Sequence, residues 1–166
     1  GDSTRYGEQY NPAISPDGNW LLYDDSFSII LAPLSGGGPI PLAPYIGYYL
    51  TEPAWAPDSK GFVCSRRGSS SNSLKIFLTD SSLVVQERTI SGTYANPSWS
   101  AAHPVFGSHI VAEGLSGLYI MRPDGSNQEL VIYRGRQPSW SPDGTMLAYI
   151  GNAQLFIIPV FMSLPD

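Results

Sequence analysis

A chain of 166 residues fits one ordinary domain, since a chain of this length buries about two-thirds of its surface around a single core. Seventeen glycines and fifteen prolines beside 14% charged residues exclude long solvated helices, while 42% hydrophobic residues, among them ten Tyr, six Phe and four Trp, exclude intrinsic disorder. A formal net charge of −5 repels phosphate backbones, so no nucleic acid partner is expected, and the most apolar stretch, 155–162, is too short for a membrane helix and is broken by Pro159.

The single Cys64 rules out an intrachain disulfide and a cysteine-rich zinc site, and its neighbours Phe62 and Val63 point to a buried thiol. Gly1 stands where a start methionine would, with no charged-then-apolar leader after it, which implies a start from which any targeting sequence has been removed.

Four segments of the chain align. They begin Asn11-Pro12-Ala13-Ile14-Ser15, Glu52-Pro53-Ala54-Trp55-Ala56, Asn96-Pro97-Ser98-Trp99-Ser100 and Gln137-Pro138-Ser139-Trp140-Ser141, and the prolines are spaced by 41, 44 and 41 residues. A period near 40 suits a four-stranded propeller blade. In chain order, the first unit predicts strands over 12–15, 20–23, 28–32 and 40–43, and the second over 53–56, 61–64, 74–79 and 84–90. The third unit predicts 97–100, 109–112, 118–121 and 129–133; the fourth predicts 138–141, 146–149 and 154–158, with little room for a fourth strand. Residues 3–7, at the right offset before Pro12, are expected to supply it and close the ring.

Asp17, Asp58 and Asp143 occupy matching Pro-Asp turns, where a carboxylate bonds locally, so they are read as turn residues and not as paired catalytic acids. The third unit replaces this turn with a longer loop containing His103 and Phe106. Small residues alternate with Ile14, Trp55, Trp99 and Trp140 along each first strand, which leaves one bulky side to fill the space between blades.

The Pro-x-Trp-Ser-Pro-Asp-Gly core followed by an apolar strand resembles the repeat of TolB-type, WD-like β-propellers, and covers essentially the whole chain. The resemblance implies an all-β propeller of four TolB-like four-stranded blades, forming one domain over 1–166, with a periplasmic or extracellular location. Such relatives usually carry six or more blades. Four repeats depart from that number, and self-association follows if the propeller is incomplete.

In a propeller, the connections after the fourth strands share a face with the loops between second and third strands. That face is expected to carry Tyr45, Tyr48, Tyr49 and Tyr94, with Arg66 and Arg136 and their neighbours Asp24, Asp25, Arg67 and Arg134 around them. Tyrosine and arginine concentrate binding energy because each combines contact area with a directional polar end. The polar residues before the prolines, Asn11, Glu52, Asn96 and Gln137, are expected to converge on the axis, where one carboxylate and three amides suit water better than a metal.

Catalytic arrangements are not found. His109 opens an apolar strand and reads as structural, and His103 has no carboxylate or nucleophile near it in sequence. The segments 36–39 and 69–73 read as flexible turns, the former lacking the lysine of a phosphate loop. The expectation is a non-catalytic module, without cofactor or metal, that binds a protein partner through the inter-blade loop face. Two other readings stand beside it: a carbohydrate-binding or carbohydrate-processing propeller, and a sensor domain of a larger membrane-anchored protein.

Overall fold

Every element of the computed structural model is a β-strand, and the model describes residues 10–25, 28–42, 48–68, 72–79, 85–101 and 107–160. The first blade runs β1 (Tyr10–Ile14), β2 (Trp20–Asp24), β3 (Ile29–Pro33) and β4 (Ile40–Leu42); the second runs β5 (Tyr48–Trp55), β6 (Gly61–Gly68), β7 (Asn72–Thr79) and β8 (Val85–Ile90). The third contains β9 (Tyr94–Trp99), β10 (Ile110–Gly114), β11 (Gly117–Met121) and β12 (Glu129–Tyr133), and the fourth contains β13 (Arg136–Trp140), β14 (Met146–Gly151) and β15 (Gln154–Pro159). Each sheet is an antiparallel meander in sequence order. The protein is a β-propeller of four blades.

The turns between first and second strands explain why the units reverse where they do. In the first blade Ser15 Oγ donates to Asp17 Oδ1 at 2.5 Å, the Asn19 N–H donates to the same carboxylate oxygen at 3.1 Å, and the Trp20 N–H donates to Ser15 Oγ at 2.9 Å. The fourth blade repeats the pattern with Ser141, Asp143, Thr145 and Met146. Hydrogen bonding to the ionised form holds Asp17 below the usual carboxylate range and Asp143 at about 2, led in both by the serine hydroxyl. In the third blade hydroxyls replace the aspartate: Ser108 Oγ accepts from Trp99 Nε1 at 2.7 Å and donates to the Ser100 carbonyl at 2.8 Å. His103 and Phe106 lie outside the described residues.

Strand alternation gives each blade two faces, and the core sits between blades. Leu22, Ile29 and Leu31 of the first blade pack with Trp55, Phe62, Cys64 and Phe77 of the second. Val63, Leu74 and Ile76 then meet Ile110, Ala112, Met121 and Trp99 of the third, and Val111 and Leu118 meet Leu147, Trp140 and Tyr149 of the fourth. Trp55 Nε1 donates to the Ala13 carbonyl at 2.9 Å, so this indole is satisfied across the blade boundary.

One feature differs from the sequence expectation. The β5–β6 ladder extends beyond the repeat core, pairing Tyr48 with Gly68 and Tyr49 with Arg67, so residues expected in a connection lie in strands. Pairing satisfies their backbone groups, which a loop would leave to water. The fourth sheet contains three described strands, and residues 3–7 lie outside the described residues. Among the described residues, β13 touches β9, β10 and β11 of the third blade, and no strand of the fourth sheet touches a strand of the first.

Candidate functional site

The residue before each aligned proline has a left-handed backbone: φ is 51° at Asn11, 57° at Glu52, 47° at Asn96 and 48° at Gln137. At each the strand register slips, so the four form equivalent β-bulges. Such a conformation costs a non-glycine residue ~1–2 kcal/mol, and something must hold it. The bulge turns the backbone N–H toward a carboxylate of the preceding blade. The Glu52 N–H donates to Asp24 Oδ2 at 3.1 Å, the Asn96 N–H to Glu52 Oε2 at 2.8 Å, and the Gln137 N–H to Glu113 Oε2 at 3.4 Å.

Asp24 and Glu113 are structurally equivalent, each lying at the end of a second strand. The second blade has Ser65 there, and Glu52 from the first strand takes over, receiving the Ser65 hydroxyl at 2.7 Å and pairing with Arg67. Asp24, only 2% exposed, also accepts Asn11 Nδ2 at 2.8 Å and Thr51 Oγ1 at 2.9 Å. These side chains therefore form a seam joining blade to blade. The polar residues before the prolines belong to that seam, with bonds to neighbouring blades as their first role. Among the described residues no group of three His, Cys, Asp or Glu is arranged to hold a metal ion.

On the loop face, Arg66 stacks over the Tyr48 ring with its guanidinium carbon 4.3 Å from the centroid, and Tyr48 also packs against the core of the first two blades. Tyr49 is exposed. Tyr94 is not on the surface: it is buried between the second and third blades, its hydroxyl donates to Gln128 Oε1 at 2.6 Å, and its ring meets Tyr119 edge-on. Tyr94 lies three residues before Pro97, where the second unit has the buried Leu50, so an aligned core position explains it. Burial also pushes its phenol pKa up. Tyr45 lies outside the described residues.

A cleft of about 650 Å³ opens on this face between the third and fourth blades. The β10–β11 turn contributes Glu113 and Leu115, the inter-blade connection contributes Tyr133, Arg134 and Arg136, and the β14–β15 turn contributes Asn152. Arg136 is largely exposed, with Nε 3.9 Å from Glu113 Oε1, and Arg134 lies 5.2 Å over the Tyr133 ring. The cleft unites Arg136 with Glu113, Leu115 and Tyr133, which the sequence reading had not selected. The signal for Glu113 was its alignment with Asp24, masked by the four-residue insertion in the third unit. His109 is buried, and its backbone N–H donates to Ser100 Oγ at 2.8 Å, which fits a structural residue.

The repeat and the blade arrangement agree with known proteins. A TolB homolog from Chlorobium luteolum is 32% identical over 113 residues, covering 64% of this chain and 26% of that protein. TolB from Acinetobacter baumannii superposes with a TM-score of 0.66 at 16% identity, over 92% of this chain and 41% of that one. The architecture is that of a TolB-type β-propeller. The chain also superposes on a gluconolactonase from Xanthomonas campestris, with a TM-score of 0.71 at 13% identity over 96% of this chain and 59% of that one. No family model matches. The chain thus spans about a quarter of its curated TolB relative and two-fifths of the TolB structure, and the propeller architecture is shared by TolB and a gluconolactonase.

Proposed function

We propose that the chain is a non-catalytic binding module that engages a protein partner on the loop face, at the cleft between the third and fourth blades. The observation that supports this is the pairing of two arginines, Arg134 and Arg136, with exposed Tyr133 and Leu115 in one concavity. Arginine forks recognise carboxylates, and the neighbouring aromatic and leucine surfaces supply apolar contact, so the fitting partner is an acidic segment with apolar anchors. Arg66, Arg67 and Tyr49 extend the same face onto the second blade. The TolB resemblance supports a periplasmic or extracellular setting.

Fluorescence anisotropy with acidic, neutral and basic peptide pools tests the reading. Binding restricted to acidic pools, and weakened at least ~10-fold by Arg134→Ala with Arg136→Ala, is the expected result, as loss of charge-assisted bonds costs ~1.5–3 kcal/mol. Binding of all pools alike would overturn it.

The gluconolactonase likeness favours a second reading, a carbohydrate-directed propeller in which exposed Tyr49 or Tyr133 stacks on a sugar. Glycan-array binding or lactone hydrolysis by the purified chain would select that reading instead. A sensor domain of a larger membrane-anchored protein would use the same face.

A further inference from the structure

We propose that the groove between the second and third blades, on the face opposite the loops, binds a small aromatic monocarboxylate. The groove encloses about 330 Å³, near the lower end of the range for small-molecule sites. Ile76 and Leu78 of β7 line it from the second blade; Trp99, at the end of β9, and Pro123, in the β11–β12 turn, line it from the third. Both blades have all four strands, and they are the two central units of the chain, so these walls do not depend on what adjoins either end.

Two exposed arginines meet this apolar surface. Arg88 stands directly opposite Ile76 in the β7–β8 ladder and so shares its face, and Arg122 opens the β11–β12 turn. At the position of Arg88 the first blade has Ile40, opposite Leu31, and the third has Glu129, opposite Ile120, so neither of those blades repeats the arrangement. Among the described residues the ion pairs are Arg67–Glu52, Lys75–Glu87 and Arg136–Glu113, and neither Arg88 nor Arg122 takes part in one. Glu87, next to Arg88 in the strand, points to the other face and pairs with Lys75. In a chain with fourteen acidic and nine basic residues, two arginines without an ion-pair partner beside an apolar floor suit a carboxylate brought by another molecule. Asp124, which also lines the groove, is held below the usual carboxylate range first by the hydroxyl and backbone N–H of Ser126 and then by Arg122 and Arg88. Two arginines less one aspartate leave one positive charge, which matches a monoanion better than a phosphate dianion.

The walls are braced by the fold itself. Trp99 is half-buried, and its indole is fixed by the bond from Nε1 to Ser108 Oγ. In the turn, the Arg122 N–H donates to the Ser126 carbonyl at 2.9 Å and the Gly125 N–H to the Arg122 carbonyl at 2.8 Å. Gln128 Nε2 donates to the Gly125 carbonyl at 2.9 Å while Gln128 Oε1 accepts the buried Tyr94 hydroxyl, which ties the turn to the core between the two blades. Gly125 has a φ of 85°, and a Cβ there would come within 3.0 Å of Ile90, so the turn rests directly on the second blade. A site ordered in advance spends little binding energy on ordering itself. An aromatic ring laid against Trp99, Leu78 and Pro123 would bury apolar surface and present its carboxylate to the arginines.

Titration of the 166-residue chain with 3-phenylpropionate, followed by NMR, tests this. Saturable binding with a Kd of roughly 1 mM or tighter is expected for a fragment-sized probe, with 3-phenylpropionamide and inorganic phosphate each at least ~10-fold weaker. Arg88→Gln with Arg122→Gln should weaken the acid at least ~10-fold, and Leu78→Glu, at a position already 39% exposed, should abolish binding by placing a carboxylate where the ligand lies. The indole N–H signal that shifts on titration should be the one missing from the spectrum of Trp99→Phe. Arg134→Ala with Arg136→Ala, which removes the arginines of the loop-face cleft, should leave the affinity for the acid unchanged. Absence of saturable binding overturns the proposal. So does equal affinity for acid and amide, tighter binding of phosphate, or a loss of affinity caused by the Arg134 and Arg136 substitutions and not by those at Arg88 and Arg122.

Discussion

Glu52 of the second blade accepts the backbone N–H of Asn96 in the third at 2.8 Å, and Asn96 is held there with a left-handed φ of 47°. The carboxylate thus stabilises a backbone conformation in another blade and at the same time ties two sheets together. Glu52→Ala should cost about 1–3 kcal/mol in urea unfolding, the penalty for leaving buried donors unmatched. Asp24→Ala should cost at least as much, because Asn11, Thr51 and Glu52 all donate to Asp24 Oδ2. Cost-free removal of both would mean that the seam contributes nothing to stability.

Trp55 is buried among residues of two blades and its indole donates to the Ala13 carbonyl. Trp55→Ala should destabilise by about 3–5 kcal/mol, and Trp55→Phe by less, since the ring is largely kept and the indole hydrogen bond is lost. Trp140 is half-buried, so Trp140→Ala should cost less than Trp55→Ala. Chemical denaturation of the three variants ranks them directly.

Asp143 has its folded pKa lowered from 3.8 to about 2, chiefly by the Ser141 hydroxyl and then by Thr145. A carboxylate depressed in the folded state contributes stability that is present above the unfolded value and is lost as pH falls through the folded one. The melting temperature of Asp143→Asn should therefore lie below wild type at neutral pH, and the two should converge between pH 3.8 and about 2. Because the turn is exposed, the difference should be small. A gap that persists at the acid end would assign the effect to something other than ionisation.

Cys64 is buried, and desolvation pushes its thiol pKa well up. A thiol-specific reagent such as a disulfide chromophore should fail to label the native chain and should label it at the rate of unfolding when denaturant is added. Fast native labelling would show that the core between the first two blades opens readily.

Much of the fold is present in local patterns. The proline spacing, the Ser-Pro-Asp-Gly turns and the alternation around each tryptophan depend on residues a few positions apart, so four meandering sheets with tryptophans between them could be read from the chain. Hydrogen bonds within a turn or a hairpin are local interactions, and local interactions leave a sequence signature.

The site was less legible because its relationships cross between repeats. Asp24 reaches the Glu52 N–H, and Glu52 reaches the Asn96 N–H, at separations of 28 and 44 residues; only the stacking of blades brings those groups together. Tyr94 carried the composition of a binding residue, yet its place beside Tyr119 and Gln128 buries it. Tyr48 and Tyr49 belong to an extended ladder because partners in β6 were there to satisfy their backbone. The sequence by itself determined a β-rich repeat protein with tyrosines and arginines near the junctions between units. Tertiary structure decided which of those side chains face solvent, since exposure depends on what the neighbouring blade presents and not on the residue's own chemistry.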